Sequence, residues 1–207
     1  ALNVANTIIS IGHQNLFLTL LFTMVTCMIL GMGLPSIPSY LITATIAAPA
    51  LVELGIPAIA AHMFCFYFAM FANLTPPVAL AAFAAAGLSG GNPMKTGWQS
   101  VKLALAGFIV PYMFVYSQQL LLMDVDFISG TRVVITSCIG VVLIGAAVEG
   151  YLFGRLNPVL RVISIGAAMM LIDSGAITDL IGIGGLFVII LFQKFVVANR
   201  NRKPTAA

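Results

Sequence analysis

Gly31-Met32-Gly33-Leu34-Pro35-Ser36-Ile37-Pro38-Ser39 and, further along, Asn73-Leu74-Thr75-Pro76-Pro77 interrupt sequence that is otherwise strongly apolar. An ordinary membrane helix would continue through both places. Glycine and proline there free backbone carbonyls and N–H groups, and in hydrocarbon each such group costs several kcal/mol unless something satisfies it. Broken helix at membrane depth is therefore tolerated only where it is buried in protein or lines a site. Two breaks so close together, both edged with hydroxyl or amide side chains, read as one composite site for a small polar ligand or cation.

The flanking sequence fits that reading. Leu16 to Leu30 is apolar, and so is Tyr40 to Leu54, with Pro49 near its end. Neither reaches the roughly 20 residues of a normal span. Two short arms around a Gly/Pro/Ser tip predict a re-entrant hairpin over about 14–54. Pro57 opens the next helix, and residues 56–88 are expected to form one discontinuous helix broken at 73–77. Ser89-Gly90-Gly91-Asn92-Pro93 is a loop. Beyond it, full spans are expected at 101–123, 133–153, 159–177 and 180–198. The chain thus divides into a unit over 1–123, with the hairpin and broken helix, and C-terminal helices with a tail over 124–207. Residues 1–13 resemble the end of an arm or interfacial helix. With no initiator Met and no basic leader, the chain is expected to be a piece of a longer polypeptide.

Composition sets the class. The 207 residues are 61% hydrophobic and 7% charged, against about 25% charged in soluble domains. An all-α integral membrane protein follows, since the ten-residue alternation of a membrane barrel is absent. A net charge of +3 is too small to argue for nucleic acid. The basic residues are unevenly placed. Lys95, Lys102, Arg155, Arg161, Lys194, Arg200, Arg202 and Lys203 fall on one side of the expected spans, and Arg132 alone on the other. By the positive-inside rule the first side, with the C-terminus, is cytoplasmic. The hairpin then opens outward near Glu53, and its tip points into the membrane.

Candidate residues follow from the two breaks. Ser36, Ser39, Asn73 and Thr75 are the substrate-binding candidates. Carbonyls and side chains at Gly31, Gly33, Ser36, Asn73, Thr75 and Pro76 are the candidate cation ligands. Neutral oxygens without a carboxylate favour a monovalent cation such as Na⁺ over Ca²⁺. A helix starting near Ser36 would turn its positive end toward an anion. His62, one turn after Pro57, reads as a satisfied or interfacial histidine rather than a proton relay. Glu149 and Asp173 lie near span ends, where structural and functional readings weigh evenly. Cys27, Cys65 and Cys138 read as small buried hydrophobes. No nucleotide-binding or nucleophile motif is present, so enzyme chemistry is not expected.

Gly31-Met32-Gly33-Leu34-Pro35-Ser36, Ala48-Pro49-Ala50-Leu51, Leu74-Thr75-Pro76-Pro77-Val78 and Pro93-Met94-Lys95-Thr96-Gly97-Trp98 resemble the large membrane subunit of tripartite ATP-independent periplasmic (TRAP) transporters. The match is nearest to the fused-permease branch served by TAXI-type solute-binding proteins, and the tail resembles that branch's extra C-terminal spans. The Thr-Pro-Pro break is also similar to that of divalent anion/sodium symporters. The resemblance implies an elevator-type secondary transporter of the prokaryotic inner membrane, built from two inverted repeats. It also implies Na⁺ coupling, small organic anion substrates, a periplasmic solute-binding protein and a small transmembrane subunit, separate or fused. Only one hairpin and one broken helix are present, so this chain corresponds to the second repeat, and the first repeat of the same permease is a partner. The alternatives are a non-transporting structural or assembly subunit, a channel, or another sodium-coupled anion symporter of related architecture.

Overall fold

A computed structural model describes residues 15–121, 123, 126–173 and 175–200, and the expected N-terminal arm lies outside them. The described residues are all-helical apart from one isolated bridge between Tyr151 and Arg155. The helices are α1 (Leu16–Gly31), α2 (Ser36–Glu53), α3 (Ala58–Phe71), α4 (Leu80–Ser89), α5 (Pro93–Ala104), α6 (Val110–Tyr116), α7 (Phe127–Glu149), α8 (Pro158–Ile172) and α9 (Ala176–Arg200). By length and composition, α7 and residues Ile177–Lys194 of α9 can each cross a membrane, and the bent pair of α5 with Gly107–Tyr116 makes a third candidate. The chain separates into two compact units between Leu121 and Leu122.

In the first unit, Asn15 caps α1 by accepting from the amides of Phe17 and Leu18 at 3.0 and 3.4 Å. The hairpin turn is shorter than its sequence suggests. Only Met32 to Pro35 are non-helical, because Pro35 pre-sets an extended entry and Pro38 sits in the first turn of α2, where its missing N–H is no loss. Pro49 is likewise carried inside α2. The break between α3 and α4 spans residues 72–79. Leu20, Cys27, Ala47, Leu51, Phe64 and Phe68 form the core beneath these helices. Against it stand Phe108, stacked on Phe71 with centroids 4.6 Å apart, and Tyr112, edge-on to Phe64 at 5.3 Å.

The span expected over 101–123 is not one helix. α5 ends at Ala104, a 3₁₀ turn covers Gly107–Ile109, and α6 departs at 58°. Pro111 cannot donate to the carbonyl one turn back, and Gly107 lies where a Cβ would fall 2.9 Å from Phe71 Cζ. Steric demand from α3 and a missing donor coincide, and the helix bends there.

In the second unit, α8 packs against both α7 and α9 through small residues. A Cβ on Gly140 of α7 would lie 3.2 Å from the Ala168 carbonyl oxygen, and one on Gly185 of α9 would lie 2.8 Å from Ala167 Cβ. Gln193, buried in α9, clamps the 150–157 loop by accepting from the Phe153 amide and donating to the Gly154 carbonyl, at 3.3 and 3.1 Å. Cys138 corrects one expectation. It is exposed on this unit's surface, whereas Cys27 and Cys65 are buried. Arg132 Nε lies 3.4 Å from Oδ2 of the buried Asp179, an ion pair joining α7 to α9. Removing the arginine strands a charge in apolar surroundings, whereas Asp179→Asn removes that charge. Arg132→Gln is therefore expected to destabilise the protein more than Asp179→Asn, by on the order of 1–3 kcal/mol, below the full buried-pair value because Arg132 is 44% exposed. Thermal unfolding in detergent checks the order of the two variants, and a larger loss for Asp179→Asn contradicts the assignment.

Candidate functional site

The end of α3 is where proline chemistry has to be resolved. An α-helix leaves its last four carbonyls without intrahelical partners. Here each of the four is taken up. Phe68 O accepts from the Ala72 amide at 3.2 Å and Met70 O from the Asn73 amide at 3.1 Å. Ala69 O accepts from the Ser39 hydroxyl of α2 at 3.3 Å. Phe71 O accepts from the Leu74 amide at 3.0 Å and the Thr75 hydroxyl at 2.9 Å. Beyond the helix, Pro77 cannot serve Asn73 O, and the Ala81 amide does so instead at 3.1 Å. The chain re-enters α4 through Ala79, a left-handed alanine at φ 37° whose amide donates to Thr75 O at 3.2 Å. A left-handed non-glycine residue costs about 1–2 kcal/mol, so this conformation is held by its surroundings.

The hairpin tip packs onto that break. A Cβ on Gly31 would lie 2.7 Å from Ser39 Oγ, 3.0 Å from Ala69 O and 3.1 Å from Ala72 Cβ. Only glycine lets the three helices close to this distance. Gly33, at φ 74°, makes the tip turn and sits where a Cβ would be 3.6 Å from Val78 Cγ1. α5 also reaches the break, with Gly97 where a Cβ would lie 3.0 Å from Pro76 Cγ.

Of the sequence-derived candidates, Gly31, Gly33, Ser39, Thr75 and Pro76 fall within this cluster, with Asn73 between α3 and Thr75. Ser39 differs from its expectation. It is helical and fully buried between α2 and α3, so its hydroxyl joins helices and does not face a substrate. Ser36 also lies in α2, as its first residue, and is exposed. Among the described residues neither the Ser36 hydroxyl nor the Asn73 side chain has a hydrogen-bond partner. Several carbonyls are likewise open there: among the described residues no backbone amide donates to those of Met32, Gly33 and Leu34 at the tip, or of Ala72, Leu74, Pro76 and Pro77 at the break.

Both helices that leave the cluster start without a side-chain cap, α2 at Ser36 and α4 at Leu80. Ser36 follows Gly33 by three residues and Leu80 follows Val78 by two, so both positive helix ends lie close to the tip–break contact. The cluster therefore offers neutral oxygens suited to a monovalent cation and two helix N-termini suited to an anion. Among the described residues no group of three or more His, Cys, Asp or Glu is placed to hold a metal ion.

Gly97 was not legible as part of the cluster, although its motif stands out in the sequence, because proximity of α5 to Pro76 depends on tertiary packing. His62 is exposed, and its Nδ1 lies 3.1 Å from the Tyr40 hydroxyl, a pairing with no sequence signature.

Gly31→Ala is expected to destabilise the protein by about 1–3 kcal/mol, since two of the three atoms it meets belong to helices that cannot both retreat. Gly87→Ala, in α4 with open space at its Cβ, is expected to stabilise by about 0.5–1 kcal/mol. Thermal unfolding of the two variants checks the opposite signs, and a harmless Gly31→Ala would contradict the close approach.

Over residues 1–129 the chain matches the family described as "Tripartite ATP-independent periplasmic transporter, DctM component". The matched stretch contains the whole tip–break cluster and α1 to α6. No curated protein and no solved structure matches the chain.

Proposed function

The chain belongs to the DctM family of tripartite ATP-independent periplasmic transporters, a family of membrane permeases and not of enzymes, and on that premise we propose that it forms the second-repeat half of a Na⁺-driven importer of small organic anions. The packing of the hairpin tip onto the helix break, Gly31 against Ala69 O and Ala72, carries this reading. It brings proline-freed carbonyls and two uncapped helix starts to one place in an apolar protein, where open polar groups serve a ligand or cost several kcal/mol each.

In this reading Na⁺ is a co-transported substrate. The carbonyls of Leu34 and Ala72, the side chains of Ser36 and Asn73, and the lone pairs left on the Thr75 hydroxyl are its ligands. The anion sits at the N-termini of α2 and α4, where dipole and free amides favour negative charge. Neutralising each other, the two ions are cheaper to carry through the membrane together than apart. A periplasmic solute-binding protein of the TAXI type delivers the anion. A small membrane subunit, separate or fused, and the first repeat of the same permease complete the assembly. The hairpin and broken helix move as an elevator-like unit, with the C-terminus in the cytoplasm and the protein in the inner membrane.

Shared use of one Na⁺ makes its ligands interdependent. Ser36→Ala and Thr75→Ala are each expected to weaken Na⁺ activation of uptake. The double variant is expected to lose less than the sum, by about 0.5–3 kcal/mol of interaction, where distant sites add within about 0.5. Uptake of labelled anions into proteoliposomes, measured against Na⁺ concentration, checks this. Additive losses, or Na⁺-independent uptake, contradict the reading.

A further inference from the structure

The second unit gathers three cations at one loop. Arg155 belongs to the 150–157 loop between α7 and α8, Arg161 to the opening turn of α8, and Lys194 to the later part of α9. The Leu156 amide closes the loop on Gly150 O at 2.8 Å, and the Tyr151–Arg155 bridge draws Arg155 back toward the end of α7. The Arg161 guanidinium lies against Gly150 itself, where a Cβ would fall 2.7 Å from Arg161 Nε. Gln193 bonds Phe153 and Gly154 from α9, which sets the next residue, Lys194, beside the same loop.

Nothing in the unit answers these charges. Among the described residues none of the three side chains makes a hydrogen bond or ion pair, and Glu149, next to Gly150, is exposed and pairs with none of them. Arg161 is half-buried, and its guanidinium carries five donors and no acceptor, so leaving it unserved is costly. The depth of the loop is set by α7. Its 23 residues make about 35 Å of helix, enough for the roughly 30 Å of hydrocarbon, so the loop that follows lies at a membrane face. Tyr151 and Phe153 are both exposed there. Water alone serves cations on a bare loop, but it does not serve two exposed aromatic rings among them. A ligand that is both anionic and apolar serves both.

We infer that the 150–157 loop, with Arg161 and Lys194, is a binding site for an anionic phospholipid. Arg161 takes the phosphate through its planar fork of donors, and Arg155 and Lys194 add positive charge around it. Tyr151 and Phe153 lie at the level of the glycerol and upper acyl chain, where amphipathic rings settle in a bilayer. The cations come from the loop, from α8 and from α9, so a bound headgroup ties these elements together and stabilises the unit. In the topology proposed above, this face is cytoplasmic. The site lies outside residues 1–129 and does not rest on the transport reading.

The test uses the complete permease in detergent, with phosphatidylglycerol, phosphatidylcholine and inorganic phosphate as probes. Phosphatidylglycerol is expected to raise the unfolding temperature at concentrations where the other two do not. Arg161→Gln and Arg155→Gln are each expected to weaken its apparent affinity about tenfold, the worth of one hydrogen bond to a charged group. Lys95→Gln, in the first unit, should leave that affinity unchanged. If Arg161→Gln does not fold, Arg155→Gln decides alone, because Arg155 is exposed and its replacement leaves the packing intact. Equal stabilisation by phosphatidylcholine overturns the assignment, as does unchanged affinity in the folded arginine variants. Stabilisation by inorganic phosphate at the same concentration also overturns it, since a small anion then suffices. No stabilisation by phosphatidylglycerol, as when another part of the permease covers the loop, overturns it too.

Discussion

Backbone groups released by proline in an apolar protein must find partners, and the first unit is arranged around meeting that demand at one place. Pro76 and Pro77 take two donors out of the chain just after α3. The helix end is then completed by short local bonds, by the Thr75 hydroxyl on Phe71 O, and by Ser39 reaching from α2 to Ala69 O. That last bond requires α2 to lie against α3, which in turn requires the hairpin to turn back tightly. Gly33 permits the turn and Gly31 the contact. Gly97 admits α5 against Pro76, and Gly107 admits the following bend against Phe71. Among the described residues the Ser36 hydroxyl, the Asn73 side chain and several carbonyls of the tip and break, Leu34 O and Ala72 O among them, remain open.

The division of labour among the hydroxyls follows from the same constraint. Ser39 and Thr75 both donate to carbonyls of the final turn of α3, yet one is buried and the other half-exposed. Ser39 has spent its proton and its surface on packing. Thr75 has spent only its proton, and its half-exposed oxygen keeps lone pairs that can still accept. Two hydroxyls that bond the same helix end thus differ in what they leave over: Ser39 only joins helices, while Thr75 keeps the acceptor capacity that the transport proposal uses. In the second unit the corresponding demand is met by side chains: Gln193 satisfies the 150–157 loop and Arg132 neutralises Asp179.

The breaks were legible because glycine and proline act locally: Gly33, Pro35, Pro76 and Pro77 announce interrupted helices without knowledge of neighbours. Their extents were less so. The first break shrank to Met32–Pro35 because Pro38 is tolerated in a first helical turn, and the second widened to 72–79. The bend after Ala104 was missed because Gly107 is a weak breaker alone; it acts through Phe71, a residue far away in the chain. Ser39 as a buried contact, Gly97 beside Pro76, Tyr40 with His62, and Arg132 with Asp179 are all pairings between elements. Periodicity and propensity carry no information about them. The exposed Cys138 is a similar case, since an apolar run does not say which of its faces packs inward.

The central claim is that hairpin tip and helix break form a single site. Its most direct test is a cross-link between the two. With the native cysteines replaced, Gly33→Cys and Val78→Cys place thiols where a Cβ at 33 lies 3.6 Å from Val78 Cγ1. Oxidation in native membranes is predicted to join them and, because the disulfide stands between the open groups that bind the ions and not between moving parts, to raise the half-saturating Na⁺ for uptake, with reduction restoring it. Failure to cross-link, or unaltered Na⁺ activation in the cross-linked protein, would contradict the account.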